Sequence, residues 1–351
     1  YQIKFMKNLN NINSFDFIKF INSKQKFILF TFLVLLIFSF ILSLGIGSFR
    51  IPIINLINFE LSDLEFKVLS EIRTPRVLLA CLVGASLGIS GASLQGLFRN
   101  PLADPGLIGV SAGAALGASF VIVLGTKFIP EFLFGVFILP ISAISGASLV
   151  IFFLYAFTSG FGSKGTTYML LIGIAINALA SVIIGILTYV STDSQLRGLT
   201  FWMMGSFGAS NWLLITPAII LILGSILLML PISRKIDVLQ LGESEALRLG
   251  VDVQNLKLKV VLFSATCVGA SVALSGMIGF VGLVVPHLVR LIGGVNHSFL
   301  LAGSAILGAA LMTSADLLSR ILIQPAELPV GLLTSAIGAP FFLWLIIKIK
   351  R

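Results

Sequence analysis

Charged side chains make up only 11% of this chain of 351 residues, less than half the share usual in a soluble domain. Acids are scarcer than bases, 14 Asp and Glu against 23 Lys and Arg, and a water-soluble fold with an ordinary charged surface is excluded. There are two cysteines, Cys81 and Cys267, both inside apolar segments. They give a disulfide framework no support and read as small packing residues. The two histidines, His287 and His297, stand apart from any cluster of acids or thiols, so neither a metal centre nor a cofactor is expected. Asp104 and Asp316 are single acids at segment boundaries rather than a paired acid/base device, so the chain is not read as an enzyme. No GxxxxGK[ST] phosphate loop occurs, since GFGSKGT (160–166) has the wrong spacing.

What the chain has in abundance is long apolar runs, with 57% hydrophobic residues overall. The runs are about twenty residues long, the length of a membrane-crossing helix, whereas barrel strands are about half that. The fold class is therefore all-α, a polytopic transmembrane bundle. Ten spans are predicted, at 27–47, 76–98, 106–125, 133–157, 167–190, 212–232, 257–279, 280–294, 298–319 and 329–348. The eighth is short and contains Pro286, which suits a half-helix. Residues 1–26 read as a polar cytoplasmic segment without a cleavable signal, with Met6 a candidate native start. Residues 27–351 read as one transmembrane domain. With the N-terminus inside, 16 of the 23 Lys and Arg fall on inner segments, which places both termini in the cytoplasm. The net charge of +9 is spread over span ends, facing lipid headgroups rather than nucleic acid.

Small residues shape the interior. Gly84/Gly88 and Gly113/Gly117 form GxxxG pairs that let helix backbones approach closely within the bundle. A weak repeat relates LVGASLGISGASLQG (82–96) to CVGASVALSGMIGFVG (267–282). The copies begin spans two and seven, so they point in opposite directions, as in inverted-repeat transporters. Between spans two and three lies RNPLADPGLIG (99–109), a polar, proline-broken turn. Irregular backbone at membrane depth is tolerated only where protein buries it or water lines it, so this turn marks a pathway. Asp104 is expected to cap the helix after Pro105, and Asp316 to pair with Arg320 four residues on.

Several segments resemble one family, the FecCD-type permeases of bacterial ABC importers for ferric siderophores, haem and cobalamin. They are 73–118 (RTPRVLLACLVGASLGISGASLQGLFRNPLADPGLIGVSAGAALGA), LTFWMMGSFG (199–208), LGESEALRLGVDV (241–253), GFVGLVVPHLVRLIG (279–293) and 315–345. The resemblance implies the type II importer permease: a homodimer in the bacterial inner membrane, coupled to two ATP-binding subunits and fed by a substrate-binding protein. Within the family, LFRNPLADPGLIGVSAGAALGA and LRGLTFWMMGSFG look closest to haem importers, with ferric siderophore and then cobalamin as alternatives. The rival outside the family, an ion-coupled secondary transporter, would normally need intramembrane acids, and these spans offer almost none.

The resemblance also assigns roles. Arg73, Arg76 and Arg320, cations at predicted outer ends, match positions that receive carboxylates of the binding protein; the alternative is headgroup snorkelling. Asn100, Leu102, Thr166 and Thr167 match the cytoplasmic gate between protomers. In the polar inner loop (about 233–257), Gly242, Glu243, Glu245, Leu247, Arg248, Leu249 and Gly250 match the coupling helix. Leu247 and Leu249 would supply apolar contact to the ATPase, with Glu243, Glu245 and Arg248 around the rim. His287 belongs to a Pro-His motif of the family, and His297 is expected in an inner loop.

Overall fold

The structure, a computed structural model, describes residues 21–47, 49, 52, 61–130, 135–158 and 165–349, with the backbone alone at 158, 165–167, 345, 346, 348 and 349. Residues 1–20 of the polar N-terminal segment lie outside the described residues.

Helix α1 (Ser23–Gly45) starts four residues earlier than its apolar run. Asn22 accepts from the Gln25 amide while the Gln25 side chain accepts from the Asn22 amide, a capping box that hydropathy does not register. Helix α2 (Asp63–Phe98) departs further from expectation, because Pro75 does not end it. A π-turn at Val68–Arg73 precedes the proline. That wider turn admits a residue with no amide hydrogen inside a continuous helix. Then come α3 (Val110–Phe128), α4 (Ile138–Thr158) and α5 (Gly165–Tyr189). Helix α6 (Asp193–Met204) falls outside the ten expected spans. It is too short and polar to be one, and a Thr192/Gln195 capping box starts it. Next are α7 (Trp212–Met229), the short α8 (Ser233–Leu239) and α9 (Glu243–Arg248), and α10 (Val253–Ser275). Helices α11 (Val281–Gly293), α12 (His297–Ile321) and α13 (Val330–Ile349) complete the bundle.

Eight helical segments among the described residues are long and apolar enough to cross a membrane; α11 is a shorter apolar helix, and α13 is apolar over Val330–Trp344. Helices α2, α12 and α10 form the centre: 83, 78 and 67% of their most apolar stretches are buried, against 17% for α5. Small residues permit this. A Cβ on Gly84 would lie 2.2 Å from the Gly308 carbonyl oxygen, and one on Gly88 2.1 Å from that of Ser304. The first GxxxG pair thus seats α2 on α12, and Gly113/Gly117 seats α3 on α4 in the same way.

The inverted repeat is visible at a single contact. Ser86 and Ser271 occupy the same position in the two copies, and the Ser271 hydroxyl donates to Ser86 Oγ at 2.9 Å. A two-fold axis across these antiparallel helices, the symmetry of inverted-repeat transporters, would bring equivalent residues together in this way.

Both breaks in the bundle reach inward. Helix α2 ends at Arg99, which is in the left-handed region at φ 49°. The turn then folds back, with a 3₁₀ turn at Pro105–Ile108 and Asn177 of α5 donating to the Gly106 carbonyl at 3.0 Å. Gly282, at the start of α11, packs on both Pro105 and Gly91. Gly91 lies seven residues before the end of α2, so α11 begins about 10 Å inside that end. It is a half-helix, as its length and Pro286 indicated. The end of the bundle that carries 99–109 and 233–252 is termed basal, and the end that carries Arg73, Arg76 and Arg320 apical.

Candidate docking, gating and coupling sites

At the apical end the three arginines are buried rather than snorkelling. Arg73 Nη1 donates to the Leu44 and Gly45 carbonyls at 2.6 and 2.9 Å, and its Nη2 to that of Phe49. Arg320 donates to the Ser43 and Ile46 carbonyls at 3.1 and 3.2 Å, and to the Ser43 hydroxyl. The last carbonyls of a helix have no partners within it, and these two guanidiniums supply partners for the end of α1. Asp316 has no exposed surface and bridges Arg76 and Arg320, at 2.9 and 3.2 Å. The pairing with Arg320 was legible four residues away; the partner 240 residues away was not. Arg76 also reaches Glu327, at 2.9 Å, a residue without any flag in the sequence. Beside this cluster a cavity of about 460 Å³ opens among α2, α4, α6 and α10, with Leu79, Phe201, Trp202, Asn211 and Gly276 in its wall.

The basal turn is held by its own polar groups. Asp104 accepts from the Gly106 amide at 2.8 Å and so caps the 3₁₀ turn, as expected. Asn100 Oδ1 accepts from the Leu102 amide at 2.9 Å, an Asx-type turn that presents Leu102 outward, 41% exposed. Thr166 and Thr167 lie in the first turn of α5, and their side chains fall outside the described residues. Behind the turn, Arg290 of α11 donates to Gln95 Oε1 of α2 at 3.0 Å.

The segment read as a coupling loop is largely helical. Gly242 and Gly250, at φ 109° and 83°, bracket α9 as the sequence indicated, since side chains rarely adopt these angles. Its apolar tip differs from expectation. Leu241 and Leu247 are 66 and 59% exposed, whereas Leu249 is half-buried. Glu243 is not free at the rim but pairs with buried Lys257 of α10 at 2.8 Å. Glu245 and Arg248 pair with each other at 2.9 Å on the surface.

Two more ties fix α8 and α9 to the bundle. Gln240 donates to the Gly96 carbonyl of α2 at 2.8 Å. Asp237 accepts from the His297 amide at 3.0 Å and contacts its Nδ1 at 2.7 Å. His297 is therefore no loop residue: Asn296 caps α12, and His297 opens that helix as a buried partner of Asp237. The element is thus bonded to α2, α10 and α12, the three central helices. These links span 14, 60 and 144 residues, which no local pattern reveals. Among the described residues no group of His, Cys, Asp and Glu could hold a metal ion.

Comparison with known proteins agrees with this architecture. The chain is 47% identical over 317 residues to the haemin transport system permease HmuU of Yersinia pestis, covering 90% of this chain and 94% of the relative. It is 41% identical to the vitamin B12 import permease BtuC of Vibrio parahaemolyticus, covering 82 and 85%. It is 39% identical to the molybdate import permease MolB of Haemophilus influenzae, covering 92 and 96%. A solved inward-facing conformation of a metal-chelate type ABC transporter aligns with TM-score 0.82 at 36% identity, covering 92% of this chain and 99% of that one. These relatives are transport permeases rather than enzymes. A polytopic helical bundle with a broken basal turn, whose residues 35–348 match the FecCD transport family, belongs to that family.

Proposed function

We propose that this inner-membrane permease forms a homodimer that imports haem, receiving it from an external binding protein and driven by two ATP-binding subunits inside. The observation that carries the substrate is the 47% identity to a haemin permease over nearly the full length of both chains, against 41 and 39% for cobalamin and molybdate permeases. In this reading the apical face, with Arg73, Arg76 and Arg320, docks the binding protein. Asn100, Leu102, Thr166 and Thr167 gate the basal exit, and 242–250 couples to the ATPase. Both termini then lie in the cytoplasm. His287 and His297 are structural, and haem passes without an axial ligand from either.

The test is uptake into proteoliposomes holding the permease, its ATP-binding subunits and the cognate binding protein. ATP-dependent haem entry is expected, and His287→Ala should retain most of it. Entry of a ferric siderophore, cobalamin or molybdate in place of haem would overturn the substrate and leave the family standing.

A further inference from the structure

The three apical arginines are not chemically equivalent. Arg73 and Arg320 commit their outer donors to carbonyls at the end of α1, so withdrawing either one uncovers a buried helix terminus. Arg76 is held differently on its two edges. Its Nε and Nη2 face Asp316, which has no exposed surface. Its Nη1 meets Glu327 Oε1 and Oε2 at 3.0 and 2.9 Å, and the Glu327 side chain is 45% exposed. Among the ion pairs of this cluster in the described residues, this last contact is the one whose carboxylate is open to solvent.

We infer that Glu327 is the resting counter-ion of the docking arginine, covering the outward edge of Arg76 until a carboxylate of the binding protein takes its place. The inference rests on the proposed reading of the apical face as the dock, and it narrows that dock to one exchangeable cation. With Glu327 in place Arg76 is only 8% exposed, so a partner reaches it by moving Glu327 aside. The exchange replaces one carboxylate with another on Nη1, while Nε and Nη2 stay with Asp316. The cation stays paired throughout, which avoids the large penalty of an uncompensated buried charge. A pair with one half-exposed member is weak enough to open readily.

Glu327 is also mechanically connected. It lies in the 322–329 turn, where the Leu328 amide donates to the Ser319 carbonyl at 3.0 Å, and the Val330 amide at the start of α13 donates to that of Gly205, also at 3.0 Å. A Cβ on Gly208 would sit 3.8 Å from Glu327 Oε2. The Arg76–Glu327 pair therefore ties α2 to the start of α13 and to the 205–211 stretch, part of which lines the apical cavity. Displacing Glu327 loosens that tie, so docking is felt at the apical mouth of the bundle.

The experiment measures binding-protein affinity for the full transporter in nanodiscs at low ionic strength. Glu327→Gln should tighten binding about two- to fivefold, the scale of a partly exposed ion pair. The gain should disappear in an Arg76→Gln background, and Glu327→Ala should repeat it without an amide to re-bond Arg76. If Arg76→Gln abolishes binding while neither Glu327 variant tightens it, the inference is overturned and the dock survives. If Arg76→Gln leaves affinity unchanged, the docking reading falls and the inference with it. Should Arg76→Gln fail to assemble, Arg76→Lys keeps the charge without the fork. It should weaken binding several-fold, and unchanged affinity there counts against the dock.

Discussion

Asp316 lies with no exposed surface between Arg76 and Arg320, and its two neighbours together fasten α12, α2 and the end of α1. Removing one member of a buried ionic group leaves the remaining charge uncompensated, which costs about 3–5 kcal/mol. Asp316→Ala is therefore expected to lower the thermal midpoint of the purified permease sharply and to reduce the folded yield. Glu327→Gln touches the same cluster from its solvent side and should cost no more than about 1 kcal/mol. Equal melting of both variants and wild type would show that the cluster does not hold the apical end together. The sequence disclosed one part of this cluster, the Asp316–Arg320 pair, because a four-residue spacing is a helical neighbour relation. It disclosed neither Arg76–Asp316 nor Arg76–Glu327, because a contact across 240 or 251 residues leaves no local pattern.

The α8–α9 element shows the same limit at larger scale. Its helix was legible because two glycines bracket a short amphipathic stretch, yet its exposed apolar residues are Leu241 and Leu247 rather than Leu247 and Leu249. Hydropathy cannot tell which leucine of three the turn at Gly250 folds inward. If this element docks into the ATPase, charge at its tip should break the dock while the bonds at Asp237, Gln240 and Glu243 keep the element in place. Leu241→Glu with Leu247→Glu should lower transport at least about tenfold and abolish stimulation of the ATPase by the binding protein, with expression unchanged. Leu249→Glu should instead act mainly on stability. Full transport by the double variant, read in the proteoliposome assay, would remove this element from the coupling path. Two other elements escaped the sequence for different reasons: α6 is too polar to register as a span, and Pro75 concealed the first part of α2, which a π-turn carries past it.

At the scale of the whole molecule, the central helices α2, α10 and α12 are enclosed by the chain itself, whereas only 17% of the most apolar stretch of α5 is buried. In a bilayer such a helix faces lipid or a second copy, and one feature favours the copy. The basal turn 99–109, the broken backbone of the proposed pathway, leans on α5 through Asn177 and Gly106, and α5 is the least covered of the eight long apolar helices among the described residues. A homodimer built on that side brings two such turns and two α5 starts together around one axis, and Thr166 and Thr167 stand at those starts. Cysteines introduced at 166 and 167 should then crosslink between protomers. The yield should change between nucleotide-free and ATP-bound transporter, because a gate differs in width between its states. The native Cys81 and Cys267 lie within the helical bundle, Cys267 fully buried, so a cysteine-free background is attainable by small substitutions. Crosslinking that is efficient but indifferent to nucleotide would place the pair at the dimer axis without making it a gate. Its absence in every state, in a dimer shown intact by size, would put the pathway on another face of the bundle.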